Sequence, residues 1–193
     1  MTIDVRPVRT ARERRIFLTF PWRIYRGDPL WVPPLLPDRA AAIDSKRGAF
    51  FKRGEADFFI AWRDGAPVGT ICAGEDAFAN EQRGVRECLF GFFECVEDDA
   101  VFRALVQRAV AWARSHDLEA VWGPFNLDYE NSYGVLIEGR DRPPTLLCGH
   151  TPPYYQRLFE QVRIGSASFE PARADNIAMA VDIAEETPPL RRL

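Results

Sequence analysis

The spacing of apolar and polar positions changes several times along the chain. Residues 2–8 alternate, with Ile3 and Val5 on one side ahead of Pro7 and Val8. This predicts a first strand at a sheet edge, where the missing proline amide does least harm. Thr10 and Glu13 have capping-box spacing, and Ile16, Phe17, Phe20 and Ile24 then recur at helical intervals, with Pro21 interrupting them. Pro29, Pro33, Pro34 and Pro37 predict a stiff, extended crossing, after which a short helix opens at Pro37-Asp38 and runs to about residue 45. Residues 46–55 read as a loop. Residues 56–63 and 68–73 are strand-like runs joined by Asp64-Gly65, a hairpin signature. Residues 75–86 are polar and read as a second loop. Residues 88–96 are almost continuously apolar, as in a buried strand. Residues 99–115 carry Val101, Phe102, Leu105, Val106, Ala109, Trp112 and Ala113 at helical spacing. Residues 118–122 form a further buried-type strand that Gly123-Pro124 ends. A short helix over 153–161 and a last strand over 176–183 complete the reading.

This order predicts a mixed α/β sheet, in the α+β manner. It is mostly antiparallel, with a strand–helix–strand crossover producing one parallel pair. A chain of 193 residues with 47% apolar and 27% charged residues suits one soluble globular domain. The net charge of −3 argues against a general nucleic-acid partner, and the basic run Arg6, Arg9, Arg12, Arg14 and Arg15 reads as a solvated helix face. Cys72, Cys88, Cys95 and Cys148 make no Cys-x-x-Cys pair, and His116 and His150 belong to no Cys pattern, so no metal site is expected. The first fifteen residues are charged throughout, and no apolar run has the length of a membrane span. A cytoplasmic protein with reduced thiols and no membrane partner is the expectation.

The joint between the apolar strand and the clearest helix reads FGFFECVEDD. A strand feeding a helix N-terminus is a common anion pocket. Here, however, no glycine lies between Val96 and Ala104, and Glu97, Asp98 and Asp99 stand at the helix start. Acids there favour the helix by about 0.3–1 kcal/mol each. Against a bound phosphate about 6 Å away, each would be repelled by roughly 3 kcal/mol at an effective dielectric near 20. The joint reads as a capped helix rather than a pyrophosphate cradle.

With PWRIYRGDPLWVPPL, VWGPFN, YGVLIEG and TPPYYQRLFE, this joint resembles an uncharacterised bacterial branch of the GNAT N-acetyltransferase superfamily, over nearly the whole chain. The resemblance implies a sheet whose strands 88–96 and 118–122 splay apart around acetyl-CoA. The acyl and pantetheine groups would meet Phe93, Cys95 and Val96, and the pyrophosphate would meet Ala100 and Val101. Chains of that branch run on into a second acyltransferase-like half. Residues 1–184 would then be one GNAT-like domain and 185–193 the start of another, with a homodimer as the other way to supply a partner.

At the position of the family's proton-donating tyrosine stands Phe159, so Tyr155, one turn earlier on the same face, is the implied acid. Tyr154 is expected to point elsewhere. Base candidates for an amine acceptor are Glu94, Asp128 and Glu130. Glu94 would act as a base if it faces inward and would be a plain surface acid if it faces outward, and alternation with Phe93 and Cys95 leaves both open. Trp22, Tyr25 and Trp31 either wall a pocket for the acceptor or serve as core and cover. Asn131 and the GPFN turn read as structural, His116 as a helix-end contact and His150 as isolated. Three functions remain: acetyl transfer from acetyl-CoA to an amine, a non-catalytic scaffold or ligand-sensing half, and transfer of a bulkier acyl group.

Overall fold

The computed structural model describes residues 2–128, 131–145 and 148–164. It contains a five-stranded sheet in the order β1-β2-β3-β4-β5. The strands are β1 (Asp4–Pro7), β2 (Gly54–Arg63), β3 (Ala66–Asp76), β4 (Glu87–Cys95) and β5 (Ala120–Trp122). Every neighbouring pair is antiparallel except β4 and β5, which run parallel. The expected mixed α/β class is therefore the observed one, with β1 at an edge. The expected strand over 176–183 and the domain end at 184 lie outside the described residues.

Helices cover both faces of the sheet. On one lies α5 (Asp99–Ser115), the crossover between β4 and β5, together with α6 (Tyr154–Gln161). Val101, Phe102, Leu105, Val106, Ala109, Trp112 and Ala113 of α5 pack on Phe59, Ile71, Phe90, Phe93 and Cys95. Each of the larger side chains contributes about 1.5–3 kcal/mol through burial. On the other face lie α1 (Ala11–Thr19), α2 (Pro21–Ile24) and α3 (Leu36–Ala42), over a second cluster of Phe17, Ile43, Ile60, Cys72, Leu89 and Phe92.

Helix α1 starts with the capping box that Thr10 and Glu13 predict, and Pro21 separates it from α2 by taking the first-turn position of α2. Arg14 donates from Nη2 to the Ala40 carbonyl at 2.7 Å, tying α1 to α3. Between α2 and α3 the proline-rich segment crosses without regular structure, as its prolines require.

Two loop readings are corrected. Residues 75–86 contain α4 (Ala77–Arg83), capped by Asp76, whose carboxylate accepts from the Ala79 amide at 2.9 Å. Gly84 ends it in the left-handed conformation at φ 64°. The polar composition hid a helix that buries little beyond Asn80. Residues 46–55 likewise hold a 3-10 turn, Ala49–Lys52, and the first residues of β2.

Candidate functional site

A slip in β4 decides which way Glu94 faces. In a regular strand, residues three apart point to opposite faces, yet Leu89 and Phe92 both pack beneath α1 while Phe90, Phe93 and Cys95 face α5. The extra residue sits at Phe92, whose φ is 45°, where the β3 register shifts between Thr70 and Cys72. The hydroxyl of Thr70 donates to the Phe92 carbonyl at 2.9 Å, satisfying a group that the irregularity frees. Glu94 consequently falls on the α1–α3 side, at the floor of a cavity of about 610 Å³.

Around its carboxylate stand two tyrosines and an arginine. Tyr155 donates from its hydroxyl to Oε2 at 2.8 Å and accepts from the Cys95 amide at 2.8 Å. Tyr25 reaches Oε1 at 3.5 Å, while its closer partner is the His150 carbonyl at 2.9 Å. Burial pushes the Glu94 carboxyl up to about 7; the Tyr155 hydrogen bond, the Arg39 charge and the Tyr25 contact oppose that rise without cancelling it. Such a carboxyl is divided between its acid and base forms near neutrality, the condition for general-base catalysis.

The proline-rich segment forms one wall of the cavity. Trp31 stacks on Tyr25 with centroids 4.8 Å apart, and Trp22 meets Trp31 edge-on at 5.2 Å. Tyr25 and Trp31 line the cavity, with Trp22 behind them. Val32 and Leu35 on this side, and Tyr133 on the other, are exposed apolar side chains at the rim.

Two readings are corrected here. His150 is not isolated: its Nε2 lies 2.7 Å from Asp28 Oδ2 and its side chain is buried in the cavity lining, with Nδ1 unpartnered. Nor does Tyr154 point away, since its hydroxyl donates to the Cys95 carbonyl at 2.7 Å. Asp128 lies outside the described lining of the cavity and pairs with Arg53 at 3.3 Å, while Glu130 lies outside the described residues. Asn131 lines the cavity, as does Asn126 of the GPFN turn, whose Oδ1 accepts from the Phe92 amide at 2.5 Å. His116 caps α5 and stacks on Trp112.

Strands β4 and β5 pair only from Glu87 to Leu89 and from Ala120 to Trp122, and then part. Along the opening, β4's polar groups meet groups of this same chain. Phe125 donates to the Phe90 carbonyl at 2.7 Å, Asn126 holds the Phe92 amide, and Tyr154 and Tyr155 hold the carbonyl and amide of Cys95. A side chain at Gly91 would lie 1.9 Å from the Phe125 carbonyl, so the crossing segment is in close contact with the strand. The Val96 amide pairs with the Val68 carbonyl at 3.0 Å.

At the start of α5, Asp98 Oδ1 accepts from the amides of Ala100 and Val101 at 2.8 and 3.1 Å. Burial of the Asp98 carboxyl is outweighed by Arg63, at 2.7 Å, and by these amides, which hold it below the usual carboxylate range. Asp99 pairs with Arg157 at 2.9 Å, and Phe159 packs among Phe90, Phe93 and Phe102. The helix start is capped, and its donors do not fit a pyrophosphate in this arrangement. Among the described residues no group of three or more His, Cys, Asp or Glu is placed to hold a metal ion, and no helix is long and apolar enough to cross a membrane.

No protein-family profile matches the chain. Over 185 residues it is 34% identical to the bacterial ceramide synthase of Caulobacter vibrioides, covering 95% of this chain and 48% of that protein. Over 159 residues it is 33% identical to protein YghO of Escherichia coli, covering 82% of this chain and 40% of that protein. The chain thus spans less than half the length of either of these relatives. Among solved structures it is similar to a tandem GNAT protein from the clavulanic acid biosynthesis pathway, with 16% identity and a TM-score of 0.48 over 63% of this chain and 37% of that one. It is also similar to a ribosomal-protein-alanine N-acetyltransferase from Brucella melitensis biovar Abortus 2308, with 14% identity and a TM-score of 0.47 over 95% of this chain and the whole of that one.

Proposed function

We propose that this chain is the acceptor-binding part of an N-acyltransferase, which holds an amine in the cavity and takes its proton on Glu94. The observation that carries the reading is the half-enclosed Glu94 carboxyl, raised to about 7 and hydrogen-bonded by Tyr155 at the cavity floor. A neutral amine attacks a thioester carbonyl, the C–N bond forms and the C–S bond breaks. Glu94 accepts the proton lost by nitrogen, and the departing thiolate receives one in turn. Tyr155, anchored on the Cys95 amide, positions the carboxylate for this exchange. The name of the Caulobacter relative points to an amide-bonded lipid as product, and the apolar rim of Val32, Leu35 and Tyr133 suits an acceptor with a hydrocarbon tail. Acyl-CoA is the donor that the sequence resemblance favours, with acetyl-CoA its smallest form.

A second reading is a non-catalytic half that binds the acceptor, or senses it, for chemistry carried elsewhere. The parting of β4 and β5, filled by the chain's own groups, and the capped start of α5 favour it. Calorimetry with acetyl-CoA and a long-chain acyl-CoA, followed by mass spectrometry of amides formed from a panel of long-chain amines, separates the two. Micromolar donor binding and amide formation lost in Glu94→Gln support the enzyme. A folded chain that binds amines but no donor supports the second reading.

A further inference from the structure

Arg39 is a half-buried cation whose Nε and Nη2 meet no acceptor among the described residues. It projects from the last turn of α3 into the cavity lining, with its guanidinium 4.8 Å above the ring of Phe92. Both nitrogens are enclosed, and neither has a hydrogen-bond partner among the described residues. These two nitrogens form the side-on edge of the guanidinium, whose parallel N–H bonds match the two oxygens of a carboxylate. An enclosed guanidinium edge without acceptors is costly, so this edge calls for a partner that the described residues do not supply. Glu94 is near enough for the Arg39 charge to oppose its protonation, yet its oxygens are held by Tyr155 and Tyr25 and not by Arg39. The cavity lining thus holds a cation and an acid with no hydrogen bond between them. Asp38, the other acid of the lining, is exposed, where water screens it.

We infer that the acceptor is an amino-acid-like amphiphile, whose carboxylate docks on the Nε/Nη2 edge of Arg39 while its amine faces Glu94. Its tail would run along Trp31 towards Val32 and Leu35. Docking requires the guanidinium to turn about its terminal torsions so that the enclosed edge meets the ligand. This inference rests on the acceptor reading above and adds the head group to it. A bare amine would use Glu94 alone and a fatty acid Arg39 alone, and only the combination engages both.

The test is calorimetric binding, which needs no turnover. The probes are α-aminodecanoate, its decarboxylated form nonylamine, and its deaminated form decanoate. The wild-type chain should bind α-aminodecanoate about tenfold or more tighter than nonylamine, the gain expected of one charge-assisted pair. In Arg39→Met, which keeps the stem over Phe92, the advantage of α-aminodecanoate over nonylamine should vanish. Arg39→Gln replaces it if the methionine variant does not fold. The inference is overturned if α-aminodecanoate fails to bind, if it binds no tighter than nonylamine to wild type, or if its advantage survives both variants. Binding and acylation of α-aminodecanoate that ignore Arg39 would sink this inference and spare the acyltransferase reading. An Arg39-dependent preference with no amide formed from any donor would do the reverse.

Discussion

Glu94→Gln should make the protein more stable above neutral pH while removing its proposed activity. The wild-type carboxyl rises from an ordinary value of 4.5 to about 7, with burial the largest cause. The folded state therefore binds its proton more tightly than the unfolded state does. The favourable contribution is complete below pH 4.5, shrinks as pH rises between 4.5 and about 7, and is gone above that. A shift of that size corresponds to about 3 kcal/mol at 1.36 kcal/mol per pH unit. Glutamine never ionises. Its oxygen can accept from Tyr155 as Oε2 does, and its NH2 faces the oxygen of Tyr25, whose own proton is directed to the His150 carbonyl. Relative to wild type, the variant should gain about 3 kcal/mol between pH 4.5 and 8, or about 6–12 °C in Tm for a chain of this size. Urea or thermal melts of both proteins across that range give the difference directly, and the titration of Asp28 and Asp98 cancels in it. A stability gap that is the same at pH 5 and pH 8 would refute an acid held neutral by its surroundings. Loss of the base should also reduce amide formation by about a hundredfold or more.

Tyr155→Phe should cost about 1–3 kcal/mol, because it strips the Cys95 amide of its buried acceptor, and denaturant titration reads that loss. It should also move the Glu94 titration further upward, because a hydrogen bond that opposes burial is gone; a pH series of melts on this variant measures the move. Asp98→Ala should lower stability by about 1 kcal/mol through the lost α5 cap, roughly 2–4 °C in a thermal melt, and leave the Glu94 midpoint where it was.

Where one local rule governs, the sequence was enough. The capping box at Thr10 and Glu13, the Asp64-Gly65 hairpin, the bounds of α5 and the parallel pair follow from short-range spacing. Helix α4 was legible in principle from Asp76 and Gly84, but its nearly all-polar surface gives no apolar period to detect. The site was harder to read. Glu94 turns inward through the slip at Phe92, and only Gly91, a glycine within a strand, hints at such an irregularity. The His150–Asp28 contact joins residues 122 positions apart, which no local pattern encodes. Tyr154 and Tyr155 both reach Cys95 although neighbouring helical residues point about 100° apart, because two long side chains can converge on one strand end.

The aromatic wall has an optical consequence. Of the tryptophans at positions 22, 31, 62, 112 and 122, Trp31 is the one that lines the cavity among the described residues. A guest displacing water there alters the polarity around an indole already stacked on Tyr25. Trp112 sits against the opposite face of the sheet, with Nε1 donating to Asp57 at 2.9 Å and its ring stacked on His116. Trp31 meets a guest of the chamber while Trp112 stands away from it, so occupancy can be followed as a change in the total emission of the unlabelled protein.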